Sequence, residues 1–495
     1  MVLNHGLPIF FILAIILYMP DLEELIYIIK EKNPVIDDAS LELIETAFDY
    51  AAKAHHGQKR LTGEDYLNHP FNTAKTLAEL NVDPQTIAAG LLHDIPENTD
   101  LTIDDLRQEF GKEIAVLVDG VTKLGTVKYR GLERYVENLR RMFMAMTKDI
   151  RVIVIRLADR LDNMKTLDVH PEEKKLRIAK ETMEIYAPTA NRLGIGELKG
   201  LLEDWAFFYL DPKNYQWTKN LAKERLAIQL KYIEKIKKIL TSELRQNNIK
   251  NVILHGRVKH YYSLYKKLLR KDKDINKVYD LVALRIVVGT IPECYMVLGL
   301  IHKKWIPLKG RIKDYIAQPK PNGYQSIHTT VFTERGKIVE FQIRTEEMHD
   351  LAEYGIAAHW RYKEESGARK KQTIWIKQLL EIQKLIKDDK KYIQNIKLNV
   401  FQNRIFAFTP KGDVIDLPED ATPVDFAYHI HTEIGNKCAG ARINEEIVPL
   451  NTTLKSGDVV EIIINKNRKK PNQDWLEFVK TNVAKDKIRI ALKKS

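Results

Sequence analysis

The sequence predicts a multidomain chain: an all-α domain, an α+β domain and a small β-rich module, in that order. Three observations predict it. At 495 residues the chain is too long for one ordinary core, since domains run about 100–200 residues. Across residues 37–210 apolar side chains recur at spacings of three and four, as in Leu41, Leu43, Ile44, Phe48 and Ala51. That is the period of amphipathic helices. Beyond residue 250 the texture changes to short apolar runs bounded by turn residues, the pattern of strands.

Residues 1–36 form an N-terminal segment. Its apolar run, residues 8–18, is too short for a membrane-spanning helix. It is like the hydrophobic part of a signal peptide, but no Lys or Arg precedes it and no small-x-small site follows. Met19 then begins an ordinary amphipathic sequence, so the run reads as a packed segment or an over-extended start. Residues 37–212 form the helical domain. Within it, Thr102 to Asp105 opens a helix with a Thr-x-x-Asp start, and Asp211-Pro212 closes the domain. A Lys-rich amphipathic helix connects residues 213–249.

Residues 250–363 form the α+β domain. Tyr279 to Val288 has a buried-strand pattern. In Ile338 to Thr345, Val339, Phe341 and Ile343 face one way and Glu340, Gln342 and Arg344 the other. Residues 364–399 read as a helical, Lys-rich linker. Residues 400–466 alternate short strands with turns such as Pro410-Lys411-Gly412-Asp413 and Lys455-Ser456-Gly457-Asp458. A basic helix begins in residues 467–495.

The net charge of +12 suits phosphate-rich partners: nucleotides, RNA or a ribosome. A Lys-rich surface without such a partner has the same composition. Two cysteines, Cys294 and Cys438, build no disulfide framework, and a reducing, cytoplasmic compartment is expected.

Two constellations carry chemistry. In the helical domain, His69, His93-Asp94 and Asp159 offer a mixed nitrogen and oxygen set suited to Mn²⁺, Zn²⁺ or Fe²⁺ activating a water. Spacing alone fits hydrogen-bonded structural histidines as well. In the α+β domain, Asp280 and Glu340 lie on strands that could share a metal. Arg257, Lys259 and Ser263 offer phosphate contacts, Arg285 ends the functional face of the Asp280 strand, and Lys313 adds charge. The turn Pro321-Asn322-Gly323-Tyr324-Gln325-Ser326 presents a ring able to stack on a purine. Phosphoryl-type transfer needs this combination of bound metal, cations on the phosphates and an aligned nucleophile. Taken singly, Asp280 also fits a strand cap and Tyr324 a core aromatic.

The ordered motifs resemble a known family. Ala54-His55-His56-Gly57-Gln58-Lys59-Arg60, Tyr66-Leu67-Asn68-His69-Pro70, Leu91 to Thr99 and Leu157 to Met164 are similar to the HD hydrolase domain of RelA/SpoT proteins. The resemblance implies Mn²⁺ on His69, His93, Asp94 and Asp159, with Arg60 on a substrate phosphate and Asn163 lining the nucleotide pocket. The family's Glu-Asp pair appears here as Glu97-Asn98. Asn cannot accept a proton at neutral pH, so hydrolysis is expected to be weakened; a lost general base typically costs about 10²–10⁴ in rate. The family's basic residue after Arg60 is Leu61 here, and its usual His is Asp162.

Arg257 to Ser263, Tyr279 to Arg285, Gly310 to Tyr315, Pro319 to Thr330, Glu340 to Thr345 and Ala357-Ala358-His359-Trp360 resemble the synthetase domain of the same family, a nucleotidyltransferase-like fold. The resemblance implies transfer of pyrophosphate from ATP to the 3′-OH of GTP or GDP, giving (p)ppGpp. Mg²⁺ would sit on Asp280 and Glu340, with Glu340 also taking the 3′-OH proton. Arg257 would clamp ATP, and Lys259, Ser263, Lys313 and His328 would hold phosphates. Tyr324 would stack on guanine beside Asn322 and Gln325. Arg311-x-Lys313-Asp314 matches the basic variant seen in bifunctional enzymes.

Phe406 to Ile464 resembles a TGS domain, a β-grasp-like fold, with His431 at the position that touches uncharged tRNA on the ribosome. The family's later domains do not follow in this sequence, so ribosome binding and autoinhibition are expected to be impaired. Two rival readings stand beside this one: a synthetase whose helical domain is only regulatory, and a catalytically silent ribosome or tRNA sensor. No membrane association is expected.

Overall fold

Capping residues set where the helices begin. In the computed structural model, residues 20–125, 137–320, 323–358 and 404–493 are described, apart from positions 138, 139, 143, 147, 456 and 469. The apolar run 8–18, Asn322, His359-Trp360 and the expected linker 364–399 lie outside the described residues. Asp21 caps α1 (Leu22–Lys32) and Asp37 caps α2 (Asp38–Ala54), each side chain accepting a first-turn amide. Then come α3 (Asn68–Glu79), α4 (Pro84–Leu92), capped by Asp83, and the short α5 (Ile95–Asn98). At Thr102 a reciprocal cap forms: its amide donates to Asp105 Oδ2 at 2.7 Å, and the Asp105 amide donates to Thr102 Oγ1 at 3.3 Å. It opens α6 (Ile103–Gly125), which bends at Gly111, where φ is +81°.

Next are α7 (Arg151–Lys165), α8 (Glu172–Glu181), a π-helical turn at Thr182–Tyr186, α9 (Ala187–Arg192) and α10 (Gly196–Leu210). Helix α7 is buried on nearly every side; Val154, Ile155, Leu157 and Ala158 are wholly covered. Its two acidic residues, Asp159 and Asp162, are therefore buried as well. Helix α1 joins this core through Leu25 and Ile29, and Glu24 pairs with Lys75 of α3 at 2.5 Å. The connector is one helix, α11 (Pro212–Gln246), capped by Asp211.

The α+β domain is built on a six-stranded sheet. Its elements are β1 (Ile253–Val258), α12 (Tyr261–Leu269), β2 (Val282–Val288), α13 (Ile291–Lys304), β3 (Ile306–Pro307), β4 (Lys313–Asp314), β5 (Ile327–Phe332), β6 (Ile338–Thr345) and α14 (Glu346–Tyr354). The strand order is β1-β2-β6-β5-β3, with β4 added on β5. Strands β2 and β6 are parallel, with Ala283 opposite Glu340; α13 lies on the crossover that a parallel pair requires. Leu284, Ile286, Phe341 and Ile343 fill the covered face, with α11 and α13 supplying Ile236 and Val297. The alternation expected in β6 is present, but the polar face is not open to water: Gln342 is 6% and Arg344 0% exposed.

A separate compact unit holds the C-terminal module. Strands β7 (Arg404–Phe408) and β8 (Val414–Pro418) pair, as do β9 (Cys438–Ile443), β10 (Glu446–Val448) and β11 (Val460–Ile464) in the order β10-β9-β11. Helices α15 (Pro423–Ile430) and α16 (Thr432–Lys437) pack beside them. Helices α17 (Trp475–Phe478) and α18 (Asn482–Lys493) share a core with α15 through Trp475, Val479 and Ile488. The fully buried Asp425 carboxylate ties these parts together. It accepts the Thr422 amide at 2.9 Å and the Thr481 amide at 2.7 Å.

Candidate active sites

Helices α3, α4 and α7 bring the first constellation together. His93 Nδ1 lies 2.8 Å from the Gly90 carbonyl, which can only accept, so that nitrogen carries the proton. Its Nε2 is therefore a bare lone pair, buried and without a hydrogen-bond partner. His69 Nδ1 lies 2.7 Å from Asp162 Oδ2, which leaves Nε2 to face Asp159 Oδ1 at 3.3 Å and Asp94 Oδ2 at 3.6 Å. Donor atoms of His69, His93 and Asp159 all lie within 4.8 Å of one another. Asp94 Oδ1 is 3.3 Å from His93 Nε2. Two imidazole nitrogens converging with carboxylate oxygens are a donor set that fits a divalent cation.

The electrostatics also call for positive charge. Burial alone would depress His69, but hydrogen bonds to Asp159 and Asp162 and the nearby carboxylates carry its pKa to about 10. Asp159 is held far below the carboxylate range: burial works against ionisation, but Arg156 and His69 outweigh it. Burial, then the charge of Asp94, raises Glu97 to about 7. Glu97 sits on the rim with its side chain reaching solvent.

Sequence reasoning missed several neighbours. Tyr66 donates its hydroxyl to Asp94 at 2.8 Å, Arg156 pairs with Asp159 at 2.5 Å, and Asp162 orients His69. The i, i+3 spacing of Arg156 and Asp159 on one helix was a usable signal. Asp162, noted only as a departure from the family, also accepts Arg60 at 3.1 Å, while Arg60 reaches Asn163 at 3.0 Å. Asn98 turns its amide back on its own helical turn, donating to the Asp94 carbonyl at 3.1 Å. Beside the cluster opens a cavity of about 470 Å³ lined by Arg60, Arg156, Arg160, Asn163, Lys174 and Arg177. With Lys59 also in the lining, four arginines and two lysines around one cavity suit a polyphosphate.

In the α+β domain, Asp280 lies just before β2 and Glu340 within β6. Asp280 is half-enclosed by Lys259 and by Lys267, the latter at 2.6 Å. Burial would raise its pKa, and the two lysines pull it below the usual value. Burial likewise acts to raise Glu340, and His328, 3.5 Å away, outweighs it. The charge of Asp280 acts on Glu340 in the opposite sense, so the carboxylates feel one another across the β2–β6 pair. Gln342 donates to Glu340 at 3.1 Å. Tyr324 and His328 Nε2 share a hydrogen bond of 2.8 Å, and Lys313 is the register partner of His328. Gln325 donates to the Ile316 carbonyl at 3.3 Å. Arg257 is the penultimate residue of β1, and Ser263 lies in the first turn of α12.

Arg285 does not end an open face. It sits mid-strand, 4% exposed, with His255 at 3.2 Å and Glu353 of α14 at 2.9 Å. Arg344 shares Glu353 at 3.1 Å and meets His349 at 2.7 Å. Burial opposes ionisation of Glu353, but Arg285 and Arg344 hold it at about 2. Burial and those arginines depress His255 to about 4 and His349 to about 3. In the C-terminal module, His431 is exposed and caps α16, its Nδ1 accepting the Glu433 amide at 3.2 Å. Its Nε2 therefore carries the proton.

Fold and sites define a class: a helical domain with a His/Asp metal cluster, joined to a mixed-sheet domain with paired carboxylates in a basic cradle, and a TGS-like module. Residues 47–196 match the HD domain, 256–367 the region found in RelA / SpoT proteins, and 405–464 the TGS domain. The chain is 50% identical over 456 residues to a guanosine-3′,5′-bis(diphosphate) 3′-pyrophosphohydrolase of Aquifex aeolicus, covering 92% of this chain and 65% of that one. It is 46% identical over 489 residues to a GTP pyrophosphokinase of Streptomyces antibioticus, covering 95% and 58%. It is 42% identical over 476 residues to the bifunctional (p)ppGpp synthase/hydrolase SpoT of Escherichia coli, covering 94% and 68%. The chain belongs to the RelA/SpoT family. It spans less than two thirds of the length of the first two of these relatives. Among the described residues, no helix is long and apolar enough to cross a membrane.

Proposed function

We propose that this chain makes (p)ppGpp by moving pyrophosphate from ATP to the 3′-OH of GTP or GDP. The observation that carries this is the parallel β2–β6 pairing, which puts Glu340 in register with Ala283, three residues on from Asp280, whose carboxylate is held by Lys259 and Lys267. Arg257, Lys259 and Ser263 take the ATP side, and Lys313 and His328 take phosphate. Tyr324, steadied by His328, stacks on guanine with Gln325 beside it. Glu340 accepts the 3′-OH proton as that oxygen attacks the β-phosphorus and AMP departs. Mg²⁺ on Asp280 and Glu340 would supply charge neutralisation on the transferred group. Arg285 is buried and locked to Glu353, so its charge acts without reaching the substrate directly.

The His69, His93, Asp94 and Asp159 cluster favours a second activity, removal of the 3′-pyrophosphate. Mn²⁺ there would lower the pKa of a water. Glu97 is the base, and the basic wall with Arg60 and Asn163 binds the nucleotide. Asn98, whose amide is spent on its own turn, adds no base, so this activity is weak. His431 offers an Nε2–H donor to the backbone of uncharged tRNA on the ribosome. The test is one assay with ATP, labelled GTP and Mg²⁺, followed by Mn²⁺: alarmone rises, then falls slowly. No product in the first stage would overturn the synthetase reading; no fall in the second would leave the helical domain regulatory.

A further inference from the structure

Helix α10 of the helical domain carries a notch. Gly200 has no side chain, and a Cβ placed on it would stand 2.2 Å from the ring of His260. The imidazole of the α+β domain therefore occupies the space a side chain would fill. Glu197 and Asp204 lie three residues before and four after Gly200, on the same helix face. They hold the ring from both sides: Glu197 Oε2 is 3.5 Å from Nε2 and Asp204 Oδ2 is 3.2 Å from Nδ1.

Asp204 does a second thing. It accepts the amides of Tyr261 at 3.2 Å and Tyr262 at 2.8 Å. These are first-turn amides of α12, whose own cap position, His260, makes no side-chain capping bond. The missing N-cap is thus supplied by a carboxylate from the other domain. Lys259 directly precedes His260, and Ser263 is in the turn that Asp204 caps.

We propose that the Gly200 notch, with Glu197 and Asp204, makes His260 a positioning residue by which the helical domain sets Lys259 and Ser263 for the phosphates of ATP. This rests on the reading that the Arg257–Ser263 segment takes ATP. The guanine side is held separately, by the Tyr324–His328 bond.

The experiment compares the full chain with Gly200→Ala, which puts a methyl into the notch, and Asp204→Asn, which keeps the volume. Amide exchange at Tyr261 and Tyr262 is measured beside Mg-ATP and GDP affinities by calorimetry. Both variants should exchange faster and bind Mg-ATP about tenfold more weakly, the size of a lost hydrogen bond to a charged group. GDP affinity should hold within about twofold, and loss of transfer should appear in the KM for ATP rather than in kcat. Unchanged amide protection, or equal loss of both nucleotides, would overturn the proposal. Wild-type protein that binds both nucleotides but forms no alarmone would sink the transfer reading alone, the clamp still being decided by protection and ATP affinity.

Discussion

Single atoms decide what the two acidic centres can do. Asn98 differs from a carboxylate by one nitrogen, and that nitrogen is bonded to the Asp94 carbonyl. An Asp there would lose this bond and be repelled from the same carbonyl, freeing it to face a water. Asn98→Asp should therefore raise Mn²⁺-supported ppGpp hydrolysis by about tenfold or more, toward the range a general base provides. A rate unchanged in initial-velocity assays would remove this account of the position. Glu353 is the counter-charge of both Arg285 and Arg344. Glu353→Gln would leave two buried guanidinium groups uncompensated, costing about 3–5 kcal/mol. Urea unfolding would show it as a lower midpoint at unchanged slope; a shift under about 0.5 kcal/mol, the scale of an ordinary surface change, would contradict it.

At the scale of elements, the α10–α12 contact is pH-sensitive. Burial acts to lower the pKa of His260, but Asp204 and Glu197 raise it to about 9. Glu353 and Arg257 act on Glu197 in turn, and the Tyr215 and Tyr261 phenols sit near Asp204. The folded pKa exceeds the ordinary value of about 6.5. The stabilisation is therefore complete below pH 6.5 and lost as pH rises through about 9, with an upper bound of about 3 kcal/mol. Thermal melts of His260→Gln should converge with wild type above that pH; a constant gap would exclude the titration. The helical and α+β domains meet at another close approach. Gly355, at φ +57°, would put a Cβ 2.2 Å from the Leu193 carbonyl, and Ile356 donates to that oxygen at 3.0 Å. Gly355→Ala should destabilise the chain by more than about 1 kcal/mol through strain alone, readable in the melting temperature.

Across the whole molecule, the two centres stand on different elements. Asp159 belongs to α7 in the helical domain, while Asp280 precedes β2 in the sheet domain. Asp159→Asn should abolish hydrolysis and leave synthesis within about threefold; Asp280→Asn should do the reverse, each loss being about 10² or more. Product assays with Mg²⁺ and Mn²⁺ in separate reactions check both. Loss of both reactions in either variant would mean one shared centre.

Much of this was legible in the chain itself. Apolar period three and four marked the helices, Thr102 and Asp105 marked a cap, and alternation marked β6, because these signals come from neighbours in sequence. The proposed ligand set His69, His93, Asp94 and Asp159 rests on the family resemblance of the ordered motifs, and His69, His93 and Asp159 do converge in the fold. Tertiary structure decided which atom His69 offers: its Nε2 faces Asp159 and Asp94 because Asp162, ninety-three positions away, takes Nδ1. The bare Nε2 of His93 is a local matter, set by the Gly90 carbonyl one helical turn back. That Arg344 of β6 is buried and shares Glu353 with Arg285 of β2, and that Gly200 receives His260, are long-range facts. A glycine or an arginine in sequence carries no mark of what packs on it, because burial and pairing are set by chain segments that meet only on folding.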